Sequence, residues 1–149
     1  MVAMALAGFV AIGLLIAAQD NPKKREFKDR ADMQGTIVCI GCALEKGEGA
    51  DAQCTLHAKH AQGFLMTDGT LWTFVDNARG HAVIANDKLR GKEVGIFGWK
   101  YSKSQYIEIW KYRIKEGEKW VAYDYCKLCG FEPGDLKDKE LCEDCAGEK

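Results

Sequence analysis

From residue 35 onward the chain alternates short β-rich runs with turn residues. Gly35-Thr36-Ile37-Val38-Cys39-Ile40 is dense in β-branched side chains and predicts a first strand. Phe64-Leu65-Met66 and Leu71-Trp72-Thr73-Phe74-Val75 flank Thr67-Asp68-Gly69-Thr70. An Asp-Gly pair between two such runs predicts a hairpin, because glycine reaches positive φ without a Cβ clash. His81 to Leu89 reads as a short helix closed by Gly91. The runs 92–99 and 105–112 predict a second hairpin. In the latter run a two-residue period puts Tyr106, Glu108, Trp110 and Tyr112 on one face and Ile107, Ile109 and Lys111 on the other. A last strand is expected from Lys119 to Tyr125.

The N-terminus breaks this pattern. Residues 1–18, MVAMALAGFVAIGLLIAA, carry no charge and have no polar face. They approach the roughly 20 residues that cross a bilayer. They read as a signal peptide cut after Ala18, or as an uncleaved membrane anchor. A signal peptide normally carries Lys or Arg ahead of its apolar core, and here none is present. Lys23, Lys24, Arg25, Lys28 and Arg30 follow instead, which would hold the next domain on the cytoplasmic side. The expectation is export to a periplasmic or other extracytoplasmic space, with a tether facing the cytoplasm as its alternative. Residues 19–33 are polar and read as a linker, 34–125 as the β-domain, and 126–149 as a tail.

The order strand, hairpin, helix, hairpin resembles an OB-fold over about residues 34–114. The run 89–98, LRGKEVGIFG, is similar to the helix-to-fourth-strand passage of such domains. The resemblance implies a mainly β fold: a small five-stranded barrel with one short helix between its third and fourth strands. Many OB-folds stack nucleotide bases on aromatics lining a basic groove. Trp72, Trp99, Tyr101, Tyr106, Trp110 and Tyr112 would be the candidates here. Charge argues against that role. The chain has 21 Lys and Arg against 22 Asp and Glu, a net −1, and so lacks the surplus that neutralises phosphates. Nucleic acid is not an expected partner, and these aromatics are expected to fill the core or pack against the tail. A 47% apolar content with two prolines excludes a largely disordered chain.

Seven cysteines in 149 residues cannot all be consumed by internal disulfides. Four form Cys126-Lys127-Leu128-Cys129 and, after a twelve-residue spacer, Cys142-Glu143-Asp144-Cys145. Each C-x2-C turn sets two thiolates on one side of a tight loop, and two facing turns make a tetrahedral sulfur cage. Gly130 suits the sharp turn after Cys129, Glu132-Pro133-Gly134-Asp135 reads as a turn, and Phe131, Leu136 and Leu141 offer apolar contacts. The segment resembles a short zinc ribbon and, more distantly, a rubredoxin. Its second knuckle lacks the Pro and Gly of rubredoxins and its spacer is far shorter, which favours zinc over an electron-carrying iron.

The other three lie in Cys39-Ile40-Gly41-Cys42 and, eleven residues on, Cys54-x2-His57-x2-His60. Cys39, Cys42, Cys54 and His57 make a Cys3His set, with His60 a spare or a replacement for His57. Zinc fits these donors and copper is an alternative. A disulfide between two of the three cysteines is the competing reading. His81 has no partner in sequence and reads as a surface residue. A thioredoxin-type redox pair at Cys39 and Cys42 is set aside, because no long amphipathic helix or βαβ unit is expected to follow. No C-x-x-C-H, phosphate loop or H-E-x-x-H motif is present.

The expected function is a non-catalytic module with two structural zinc sites, exported or membrane-tethered, serving a protein partner as a binding or accessory subunit. Closed sites leave no position for a substrate. The alternative is a redox or metal-handling protein, carrying electrons on iron or passing on copper or zinc. An enzyme with an open zinc site, using Asp51 or His60 as base, ranks third.

Overall fold

The computed structural model describes residues 26–52, 61–134, 136 and 141–146. The apolar N-terminal segment, Cys54, His57 and His60 lie outside the described residues. Among those described, no helix is long and apolar enough to cross a membrane.

The fold is mainly β, with seven strands in one sheet among the described residues. β1 (Ala31–Cys39) pairs antiparallel with both β2 (Gln62–Met66) and β4 (Glu93–Tyr101). β3 (Leu71–Phe74) joins β2 through the expected Asp-Gly turn, where Gly69 has φ +84°. Asp68 Oδ1 fastens that turn by accepting from the Thr70 amide at 2.9 Å and its hydroxyl at 2.6 Å. β5 (Tyr106–Glu116) pairs antiparallel with β4 and parallel with β3, through Thr73–Tyr106 and Phe74–Ile107. These pairings close β1-β2-β3-β5-β4 into a ring.

Inward positions fill the ring. Ile37, Phe64, Phe74, Ile96, Ile107 and Ile109 are each at most 2% exposed. Each such side chain contributes about 1.5–3 kcal/mol by leaving water. β1 starts at Ala31, inside the stretch read as a linker, because Met33 already belongs to this core.

The two-residue period does not survive along β5. Phe97 pairs with Lys111 but Gly98 pairs with Ile109, so Trp110 is an extra residue. This bulge shifts the inward set from Ile107 and Ile109 to Tyr112 and Ile114. Tyr112 therefore joins the core with the isoleucines, rather than sharing a face with Tyr106, Glu108 and Trp110. Gly98 is required at this place, since a Cβ there would lie 2.1 Å from the Glu108 carbonyl oxygen.

The helices also differ from expectation. α1 (Ile40–Glu48) follows β1 directly and ends at Gly49 in the left-handed conformation, φ +73°. α2 (Ala78–Ile84) begins earlier than the sequence pattern suggests, at the N-cap Asn77, whose Oδ1 accepts from the amides of Arg79 and Gly80. It ends at Ile84, where a side chain caps its last carbonyls. Gln62, 1% exposed, donates Nε2 to the oxygens of Val83, Ile84 and Asn86 at 3.2, 3.1 and 2.9 Å. A separate 3-10 turn over Asp87–Leu89 then buries Leu89.

Two strands extend the sheet beyond the ring. β6 (Lys119–Cys126) pairs with β5, and β7 (Gly130–Pro133) pairs with β6. Glu132 and Pro133, read from sequence as part of a turn, are the last residues of β7.

Candidate metal centre

The β6–β7 hairpin builds the first half of the site. Cys126 is the last residue of β6 and pairs with Gly130, the first of β7. Lys127, Leu128 and Cys129 form the connecting turn, which Gly130 completes at φ +90°, a conformation glycine reaches without strain. Leu128 projects outward, 71% exposed. Cys142 and Cys145 form the second half. Cys145 lies in the single helical turn α3 (Glu143–Ala146), closed by Ala146 N–H donating to the Cys142 carbonyl at 2.9 Å.

The four sulfurs lie within 4.8 Å of one another. Cys129 and Cys142 Sγ are 3.5 Å apart, and Cys129 and Cys145 Sγ 3.8 Å apart. Zn–S bonds of about 2.3 Å arranged tetrahedrally require sulfur–sulfur edges of about 3.8 Å. The donor set is close to the size that a four-sulfur ion requires. These separations are far too long for disulfides, whose S–S bond is about 2.05 Å, and all four thiols are free.

The cage is asymmetric. Cys126 is fully buried, Cys129 is exposed, and Cys142 and Cys145 are half-buried. Backbone amides converge on Cys126 Sγ from Cys129, Cys142 and Leu128, that of Cys142 at 3.5 Å. They hold the Cys126 thiol down at about 6, so this sulfur is an anion at neutral pH. Hydrogen bonding to Cys126 pushes the Cys129 thiol well up, and that to Cys142 raises Cys145 to about 11. Without metal, Cys126 takes the charge, and Cys129 and Cys145 keep their protons. An incoming divalent ion displaces those protons.

Aromatic packing ties the centre to the ring. Phe131 of β7 meets the ring of Tyr112 at 4.6 Å and that of Tyr125 at 5.1 Å, both edge-on. Tyr123 stacks on Tyr112 at 5.1 Å. Arg79 of α2 lies over Trp110 at 4.1 Å and over Tyr125 at 5.0 Å. Asp124 accepts from the Leu136 amide at 3.3 Å, so it pins the spacer beside the cage. Asp124 carries no sequence signal for this role: it is one acid between two tyrosines.

Cys39 and Cys42 are placed apart from this centre. Cys39 ends β1, opposite Gln62 in the strand register, and Cys42 lies in the first turn of α1. A nine-residue helix, α1, begins at Ile40 inside this pair with Cys39 as its N-cap residue, and the next strand, β2, runs antiparallel to β1. Beside Cys42 runs an open groove of about 880 Å³, whose lining includes Val38, Leu44, Leu65 and Leu71. Among the described residues no third metal-ligating side chain joins Cys39 and Cys42. His81 is exposed and hydrogen-bonded to Asp76 at 3.0 Å. Of the candidate stacking aromatics, Trp72, Trp99 and Tyr112 are buried, Trp110 is half-buried, and Tyr101 and Tyr106 are exposed.

No protein-family model matches this chain, and neither does any curated protein or solved structure.

Proposed function

We propose that the chain is a non-catalytic, metal-binding accessory module whose C-terminal cage holds a structural zinc ion. The single observation that carries this reading is the convergence of Cys126, Cys129, Cys142 and Cys145 to within 4.8 Å. Four thiolates fill a tetrahedral ion and leave no site for substrate or activated water. The metal's role is then to fasten the spacer and α3 to the sheet edge, a segment too short to build a core of its own.

The strand order β1-β2-β3-β5-β4, with β3 and β5 parallel and α2 between β3 and β4, supports an OB-like barrel as the platform. On this reading a second zinc ion is held by Cys39, Cys42, Cys54 and His57, with His60 in reserve. The apolar stretch 1–18 suits export or membrane tethering, and the client is a protein.

Cobalt loading tests the cage. Co²⁺ in four thiolates gives intense tetrahedral visible bands and strong sulfur-to-metal charge transfer, and zinc should bleach both. A spectrum of octahedral, oxygen-ligated cobalt would refute the reading. The same donors accept iron, so the alternative, an electron carrier, rests on the same geometry and on the amides directed at Cys126 Sγ. The purified chain would then be red rather than colourless.

A further inference from the structure

The four sulfurs differ in access to solvent, and that difference has a chemical consequence. Cys126 is fully buried beneath the hairpin, whereas Cys129 is exposed at its tip. Cys129 Sγ lies 3.5 Å from that of Cys142, on the opposite knuckle. Building on the metal-cage reading above, we infer that Cys129 is an oxidant-modification site, and that peroxides close a Cys129–Cys142 disulfide that ejects the metal.

A bound divalent ion makes all four sulfurs thiolates, so access decides which meets an oxidant first. Only Cys129 among the four is exposed. A peroxide oxygen transferred to Cys129 Sγ gives a sulfenic acid, while the other peroxide oxygen leaves and takes up a proton to become water. Cys142 Sγ then attacks the sulfenic sulfur. The S–S bond forms and hydroxide departs, to be protonated to a second water. Two thiolates lose two electrons, and one hydrogen peroxide with two protons becomes two water molecules. The sulfurs must approach by about 1.5 Å to reach the bond length of about 2.05 Å. Two of the four metal bonds are lost, and the remaining pair, Cys126 and Cys145, is too few to keep a structural ion.

A disulfide across the two knuckles differs from one within a C-x2-C turn. It leaves Cys126, at the end of β6, as a thiol. None of the four cysteines belongs to β1 through β5, so the ring is expected to survive the oxidation.

The test treats the zinc-loaded full chain with stepwise hydrogen peroxide. Released zinc is read with a chromogenic chelator, and disulfides by mass spectrometry. Cleavage after Lys127 and Lys137 isolates Cys129, and cleavage after Glu143 separates Cys142 from Cys145. The expected result is one zinc released for each Cys129–Cys142 disulfide formed, with Cys126 still alkylatable and the zinc restored by a thiol reductant. Cys129→Ser, loaded the same way, should need at least tenfold more peroxide for release. A loaded chain whose first disulfide contains Cys126, or joins Cys142 to Cys145, overturns this inference alone. So does equal sensitivity of the native chain and Cys129→Ser. If Cys129→Ser will not load, the disulfide map of the native chain decides the matter. A native chain that takes up no metal at the cage overturns the parent reading and this inference together.

Discussion

The ring of Phe131 meets the ring of Tyr112 edge-on, with centroids 4.6 Å apart. Tyr112 belongs to the core and Phe131 to the strand that carries the metal knuckle. This contact makes the sheet the foundation of the metal centre. Phe131→Ala should cost about 2–3 kcal/mol, by lost burial and lost aromatic geometry. Urea unfolding of the metal-free chain measures it. The same variant should also lose its metal to a chelator faster than the native chain.

Gly98 gives a sharper steric prediction. Its missing Cβ would stand 2.1 Å from a backbone oxygen, which cannot swing aside. Gly98→Ala should destabilise the chain by about 3 kcal/mol, by forcing the bulge apart. Gly47→Ala is the contrasting case. That position lies in α1 with nothing within 4 Å of the added carbon. It should gain about 0.5–1 kcal/mol from improved helix propensity. Parallel urea titrations decide both signs.

The bulge also shows where the sequence stops being informative. The Asp68-Gly69 hairpin was legible because its turn chemistry is local. The C-x2-C pairs were legible because knuckle spacing is local too. The inward turn of Tyr112 was not, because one extra residue at Trp110 reverses every later side chain and leaves no mark in composition. Helix α1 was hidden for another reason. It contains Gly41 and Gly47, which lower its helix propensity, and it buries no residue fully. The β7 strand was masked by Pro133, which sits at its final position, where a strand tolerates proline.

Burial gives Tyr112 a pH signature. Loss of water around its phenol, with Tyr123 and Glu132 nearby, raises it from 10.0 to about 12. The unfolded chain releases this proton first. The stability linked to Tyr112 is therefore complete below pH 10.0 and is lost as pH rises through about 12. Tyr112→Phe keeps the ring but has no proton to lose. Its melting temperature should fall less than the native value between about pH 9 and about pH 11. Parallel falls would contradict the assignment.

Gln62 should be a weak point of the ring. It is 1% exposed, and its amide serves the Val83 and Ile84 carbonyls at the end of α2 and that of Asn86 just beyond it. Gln62→Leu has similar volume but takes from the Ile84 oxygen its side-chain donor, while the Val83 and Asn86 oxygens keep the amides of Asn86 and Leu89. About 1–3 kcal/mol should be lost, the cost of one buried acceptor left without its partner. Thermal unfolding, with hydrogen exchange of the α2 amides, measures the loss and locates it.

The cage itself is tested most directly by elemental analysis of the purified native chain beside Cys126→Ser, with a thiol count on each. Cys126 is the buried ligand toward which three backbone amides point. The native chain should carry one more tightly held metal ion per molecule than the variant, with its four C-terminal cysteines reduced. Equal metal content in the two proteins, or a native chain without metal whose C-terminal cysteines are paired as disulfides, would contradict the account.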